Sequence, residues 1–260
     1  MQLAQTFQRE IVPPHLIKYM GSKANIIDFI VDNIHKINVN GSRKVYDLFA
    51  GTCIVSAYLN RHCEVVINDV QEYSTILGKS YLKKVQKNDI EISDFVKQVE
   101  EYVKFFKNKY NVNFSYGSDI SRDEYLQIEH LERQLLTKSF SQTDHHLFVQ
   151  NYSGTYWSFQ QCLYIDAIYR IAQHYRNTTV YELILSSLMF AMSYCSQSTG
   201  HFAQYRDVKD DKNFKDILLY RIKSVVDLFV SKLNQLLDYD RSTNKKFESF
   251  TLSFEELLKK

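Results

Sequence analysis

The sequence predicts an α/β fold, a partial parallel sheet carrying a large, mainly helical insertion. Three observations predict it. β-Branched and aromatic residues over Lys44 to Phe49 and again over Glu64 to Ile67 read as two strands joined by a tight turn and a short helix. From about Ser74 to Leu237 the apolar residues recur at helical spacing. A last extended run, Phe247 to Leu252, follows a polar turn over Asp238 to Lys246.

Taken in order, Ile26, Ile27, Ile30, Val31 and Ile34 form one face of a first helix, for which Ser22 is a suitable N-cap. Gly51 breaks strand one, and Ile54 to Leu59 begins the crossover helix to strand two. In the long helical region, Ile92, Phe95, Val96, Val99, Val103 and Phe106 make one apolar stripe. Leu218, Ile222, Val225, Val226, Phe229, Leu233 and Leu236 make another, and both read as core. Ser253 and Glu256 form a capping box for a final helix after the third strand. The expected division is a core half over 1–74, a helical insertion over 75–200, and a return to the core over 201–260.

At 260 residues the chain is long enough to bury a sizeable core without covalent staples. Cys53, Cys63, Cys162 and Cys195 show no paired spacing, which argues against a zinc knuckle or disulfide framework and fits a reducing, cytoplasmic setting. The polar N-terminus has no secretory pattern, and the greasiest run, Leu183 to Met192, is too short to span a bilayer. Basic residues exceed acidic ones by two, so any nucleic-acid contact must come from a local basic face. Lys83-Lys84-Lys87 and Lys104-Lys107-Lys109 read as solvated helix faces. His145-His146 has no partners at metal-ligand spacing, so no metal site is expected.

In a doubly wound sheet a ligand sits at the carboxyl ends of the strands. A glycine turn lets backbone approach it there, and an acid after the second strand takes ribose hydroxyls. Asp47, Gly51 and Asp69 stand in that order at about that spacing. A plain strand end at Gly51 and a plain turn at Asn68-Asp69 would leave the same pattern.

Lys18-Tyr19-Met20-Gly21-Ser22-Lys23, then Asp47-Leu48-Phe49-Ala50-Gly51-Thr52, then Asn68-Asp69 resembles, in order and spacing, the N-terminal half of the Dam-like (D12 class) adenine-N6 DNA methyltransferases. Asn151-Tyr152-Ser153-Gly154-Thr155-Tyr156 and the run Ser198 to Tyr205 are similar to further segments of a restriction-modification branch of that family. The resemblance implies a Rossmann-like methyltransferase sheet and S-adenosylmethionine as cofactor. It implies that Lys18, Tyr19 and Gly21 pack around the methionine moiety, with Met20 and Lys23 also among the cofactor-binding residues. Asp47, Leu48, Phe49, Ala50, Gly51 and Thr52 would form the cofactor turn, Asp69 would bind ribose, and Asn68 and Val70 would flank adenine. It also turns Tyr152, Ser198, Thr199, His201, Gln204 and Arg206 into candidates for contact with double-stranded DNA. Without it, Ser198 to Arg206 reads as a polar loop, and Tyr152, Tyr156 and Trp157 as core aromatics.

Two departures matter. Cys53 stands where the family usually has a second glycine, and a side chain there is expected to narrow the room for cofactor. The other is the family's Asp-Pro-Pro-Tyr loop, which grips the flipped adenine and is missing. Pro13 and Pro14 are the only prolines, and Val12 and His15 flank them. No catalytic residue is therefore assigned to this chain. A split enzyme, an inactive relative and a truncated chain each explain the loss. The first also explains a sheet that stops with an open edge beside strand one. The expectation is thus a cofactor-binding subunit whose sheet and catalytic loop are completed by a partner chain. The alternative is an inactive methyltransferase-like DNA-binding or regulatory module.

Overall fold

The computed structural model describes residues 12–18, 21–37, 43–138, 146–198, 204–241 and 245–260. In chain order the elements are α1 (Ile27–Ile37), β1 (Lys44–Asp47), α2 (Ile54–Leu59), β2 (Glu64–Asn68), α3 (Glu72–Leu82), α4 (Ile92–Tyr110), α5 (Arg122–Gln134), α6 (Leu147–Tyr152), α7 (Phe159–Ala172), α8 (Tyr181–Cys195), α9 (Asp211–Arg221), α10 (Val225–Asp238), β3 (Phe247–Phe250) and α11 (Phe254–Leu257). They divide between two compact units. One holds the described residues of Met1–His15, Gly21–Lys84 and Asp238–Lys260, and the other those of Leu16–Met20 and Val85–Leu237.

The first unit is built on a parallel sheet in the order β1-β2-β3. Val45 lies opposite Val65, and Val65 opposite Phe247. Val65, Val66 and Ile67 are each 1% exposed, as expected of a central parallel strand covered on both faces. β1 is an edge strand with no fully buried residue. The short crossover from β1 to β2 is α2, and α3 begins the longer route to β3. Gly78 lets α3 lie close on the sheet, because a Cβ there would meet Ile67 Cδ1 at 2.2 Å.

Buried polar groups fasten the returning segment. Asn60, fully buried, donates to the carbonyl of Lys246 at 3.1 Å, and its own carbonyl accepts from Lys245 N at 2.8 Å. Arg241 donates to the carbonyl of Ser80 at the end of α3, and Tyr81 sets its ring edge-on to Tyr239. The capping box of Ser253 and Glu256 forms and starts α11. Ser22 accepts from Ala24 N instead of capping α1 directly, because a 3-10 turn, Ala24–Ile26, precedes that helix.

The second unit is helical. Phe95 stacks on Phe229 with ring centroids 5.4 Å apart, so the two apolar stripes read from the sequence meet in one core. Beside the core lies a buried charged network. Arg221 donates to Glu129 Oε1 at 2.7 Å, to the hydroxyl of Tyr125 at 3.0 Å and to the carbonyl of Thr155 at 3.1 Å. Gly154, at φ 72°, is required beneath it, since a Cβ would stand 2.9 Å from the Glu129 carbonyl. Glu132 accepts from Phe159 N and Tyr116 Oη, and burial pushes its carboxyl up to about 7. Asp166 caps the start of α6 by accepting from Phe148 N and Val149 N, and burial takes it to about 7 as well.

This helical unit runs from Val85 to Leu237, apart from the short Leu16–Met20 piece, where the sequence suggested 75–200. At one end α3 packs on the sheet. At the other, Phe214, Ile217 and Leu218 of α9 pack on Tyr125 of α5, so the return to the sheet waits until Asp238. Among the described residues, no helix is long and apolar enough to cross a membrane.

Candidate functional site

The carboxyl ends of β1 and β2 bring Asp47, Leu48, Phe49, Ala50, Gly51, Thr52, Asn68, Asp69 and Val70 together. After Asp47 the chain must reverse toward α2 within a few residues, and Gly51 does so with φ 53°. Three contacts hold the turn. Ala50 N donates to the Asn68 carbonyl at 2.9 Å, Cys53 N donates to the Ala50 carbonyl at 2.7 Å, and Gly51 N donates to Asp69 Oδ2 at 2.9 Å. Asp69 Oδ1 meanwhile accepts from Gln71 N at 2.9 Å. Each carboxylate oxygen keeps a further lone pair for a ligand hydroxyl.

Asp47 faces inward. Its Oδ2 accepts from the Ser56 hydroxyl at 2.7 Å, and burial, reinforced by the nearby Asp69, raises its carboxyl above the usual range. Asn68 is 1% exposed and ties three strand ends together. Its amide nitrogen donates to the carbonyls of Leu48 and Leu252, and its amide oxygen accepts from Leu252 N. Phe49 and Val70, by contrast, are 72% and 66% exposed, and Phe49 lies 5.5 Å from the ring of Phe254. The site therefore presents an acid with spare acceptor capacity, a backbone turn and two apolar side chains, a donor and surface set that fits a nucleoside.

Cys53 holds a left-handed backbone, φ 57°, at the N-cap of α2. Its side chain, expected to crowd the turn, is 1% exposed. Its thiol lies 3.1 Å from the Ser74 carbonyl and against the bare Cα face of Gly78. The side chain fills the space under α3 and leaves the outer side of the turn clear. Burial holds the thiol well above its ordinary pKa, so it is an inert core group.

The remaining candidates lie elsewhere. Gly21, at φ 87°, and Lys23, which donates to the Gly21 carbonyl at 2.8 Å, precede α1 in the sheet unit. A Cβ on Gly21 would meet nothing within 4 Å, so conformation and not crowding calls for glycine there. Lys18 belongs to the helical unit. Its ammonium lies 4.4 Å from the ring centre of Tyr194, and burial, with Lys223 nearby, lowers its pKa. Tyr19, Met20, Thr199 and His201 lie outside the described residues.

Among the nucleic-acid candidates, Tyr152 packs edge-on to Trp157, whose indole donates to the Met192 carbonyl. Ser198 forms a bridge with Tyr205, and Gln204 beside it is exposed. Arg206 pairs with Asp216 and lies over the ring of Tyr220. Sequence reasoning missed the clip made by Asn68 and the inward course of Cys53. Only the second left a signal, a non-glycine residue where a left-handed turn was expected.

Residues 19–249 match the family of D12 class N6 adenine-specific DNA methyltransferases. The chain belongs to that family. No curated protein and no solved structure matches it. Members of the D12 class are S-adenosylmethionine-dependent enzymes that methylate adenine in DNA. The match takes in the Gly51 turn, both acids and the long helical stretch Val85–Leu237, so sheet and insertion together are a D12 feature here.

Proposed function

We propose that this D12 methyltransferase chain is the S-adenosylmethionine-binding subunit of a two-chain DNA adenine-N6 methyltransferase of a restriction-modification system. The cofactor supplies an electrophilic methyl group on its sulfonium. Asp69 would take the ribose hydroxyls with its free lone pairs, Phe49 and Val70 would cover the faces of the adenine, and the Gly51 turn would pass along the methionine part. Asp47, half-buried and fixed by Ser56, would set the direction of the turn.

The observation that carries the division of labour is a mismatch within one site. Asp69, the Gly51 turn, Phe49 and Val70 stand together at the carboxyl ends of β1 and β2, which supports a nucleoside site, yet no acid-proline-proline-aromatic loop exists in these 260 residues. Adenine N6 is a weak nucleophile because its lone pair is delocalised into the ring, so a flipped base needs acceptors for its amino hydrogens and a stacking surface. The crossovers β1 to β2 to β3 all step the same way, and in such sheets the ligand crevice lies where the direction reverses, beside the outer edge of β1. Tyr46 stands on that edge with its side chain 53% exposed. A strand from the second chain, laid along β1, would bring the missing loop to the carboxyl ends next to Gly51.

The test is to purify this chain and a second chain that carries such a loop, and to measure methyl incorporation into adenine of duplex DNA. Activity is expected from the mixture alone. Turnover by this chain by itself contradicts the proposal. An inactive DNA-binding or regulatory module, the competing reading, would show no cofactor affinity and no gain on mixing.

A further inference from the structure

The sheet unit carries a concavity at the amino ends of the strands and so at the opposite end of the sheet from Gly51. It has a volume of about 520 Å³. Five lysines line it: Lys44, Lys83, Lys84, Lys245 and Lys246. They come from three remote stretches of sequence, the start of β1, the end of α3 and the approach to β3. Two carboxylates, Glu64 and Glu248, share the lining, and Glu248 is held by Lys44 in an exposed ion pair. Five cations less two anions leave +3 at the cleft. The whole chain carries +2, so everything outside the cleft sums to −1. The cleft is thus net positive in a chain whose remaining charges nearly cancel.

The lysine pair at 245 and 246 is positioned by the core. Buried Asn60 holds the backbone of both residues, and Val65 N donates to the Lys246 carbonyl. Lys84, Lys245 and Lys246 are exposed. Gathering like charges on a fixed backbone is unfavourable without a counter-anion, and lysine ammonium groups bind phosphate as point charges. We infer that this cleft is a phosphate-binding site, and that its occupant is the sugar-phosphate backbone of DNA, contacted without regard to sequence. The choice of DNA over a free polyphosphate rests on the methyltransferase reading above, whereas the phosphate chemistry does not.

The experiment measures binding of the full chain to short DNA duplexes of unrelated sequence over a range of salt concentrations. The wild type is compared with the triple variant Lys84→Gln, Lys245→Gln, Lys246→Gln. Loss of three phosphate contacts should make the slope of log affinity against log salt shallower by about 2 to 3, equally for every duplex. S-adenosylmethionine affinity, read in the same preparations, should not change, because the cofactor turn lies at the other end of the strands. An unaltered slope overturns the inference, as does a wild-type chain that binds no duplex. If tripolyphosphate binds the wild type, is lost in the variant and is not displaced by duplex, the cleft serves a free polyphosphate and the DNA assignment fails. Absence of cofactor binding in the wild type and the variant alike, with the slope change intact, would sink the proposed function and leave the cleft standing.

Discussion

The carboxylate of Asp69 holds the amide of Gly51 at 2.9 Å, joining the end of strand two to the turn after strand one. The same carboxylate steadies the start of the next segment through Gln71 N. Asp69 thus shapes the turn, and on the proposed reading its remaining lone pairs would take a ligand's hydroxyls. Asp69→Ala removes both. Its dissociation constant for S-adenosylmethionine, measured by calorimetry, should rise about 10-fold or more, since hydrogen bonds to a charged group are worth about 1.5–3 kcal/mol. Asp69→Asn keeps one acceptor oxygen and should lose less. Equal affinity in all three proteins would remove Asp69 from the site.

Cys53 supplies a test of which way the turn opens. Because its side chain fills space under α3, Cys53→Gly should leave cofactor affinity within about two-fold. It should lower stability in a denaturant titration by about 1 kcal/mol or more through the vacated volume, partly offset by relief at a left-handed position. A large gain in affinity would mean that the thiol obstructs the ligand after all.

Gly78 and Ile67 should behave as a coupled pair. Gly78→Ala places a methyl 2.2 Å from Ile67 Cδ1, and overpacking of this kind costs about 1–3 kcal/mol. Ile67→Val deletes that carbon, so the double variant should recover part of the loss instead of adding to it. Strict additivity in thermal unfolding would show that α3 does not lie against β2 at this point.

Asn68→Asp keeps the size of the clip and reverses its chemistry. A carboxylate cannot donate to the carbonyls of Leu48 and Leu252, and at 1% exposure it gains no water in exchange. The expected loss is about 2–4 kcal/mol in urea unfolding, from two unsatisfied acceptors and a buried charge. A change below about 0.5 kcal/mol would contradict the clip.

Glu132 and Asp166, both raised to about 7 by burial, add stability on the acid side. Their unfolded values lie near 4.5 and 3.8, so between about pH 4 and 7 the folded chain binds protons that the unfolded chain has released. The stability these two groups contribute is therefore greatest below that window, is lost as pH rises through it, and levels off above about 7. Each group contributes on the order of 2–4 kcal/mol. Asp166→Asn should flatten the decline measured by denaturant unfolding between pH 5 and 8. A decline of the same steepness in the variant would remove Asp166 as a source.

The cofactor turn was legible in the sequence because its parts are local. A β-branched strand, a glycine and an acid about one crossover later are set by chain geometry within some 25 residues. What depended on contact between remote segments was not. Glu129 and Arg133 look like an ordinary exposed helix pair, yet Glu129 faces the buried Arg221, 92 residues away. The apolar face of α3 has the same period whether it covers a sheet or a helix, so the unit boundary fell later than composition suggested. Lys83-Lys84 reads as solvation until Lys44 and Lys245-Lys246 arrive beside it.

On the proposed reading this chain forms a cofactor half by itself. Titration of S-adenosylmethionine into the purified chain, with no second polypeptide present, addresses it directly. Saturable binding of one molecule per chain, weakened about 10-fold or more in Asp69→Ala, is the predicted result. A flat titration with a folded wild-type protein would contradict the account.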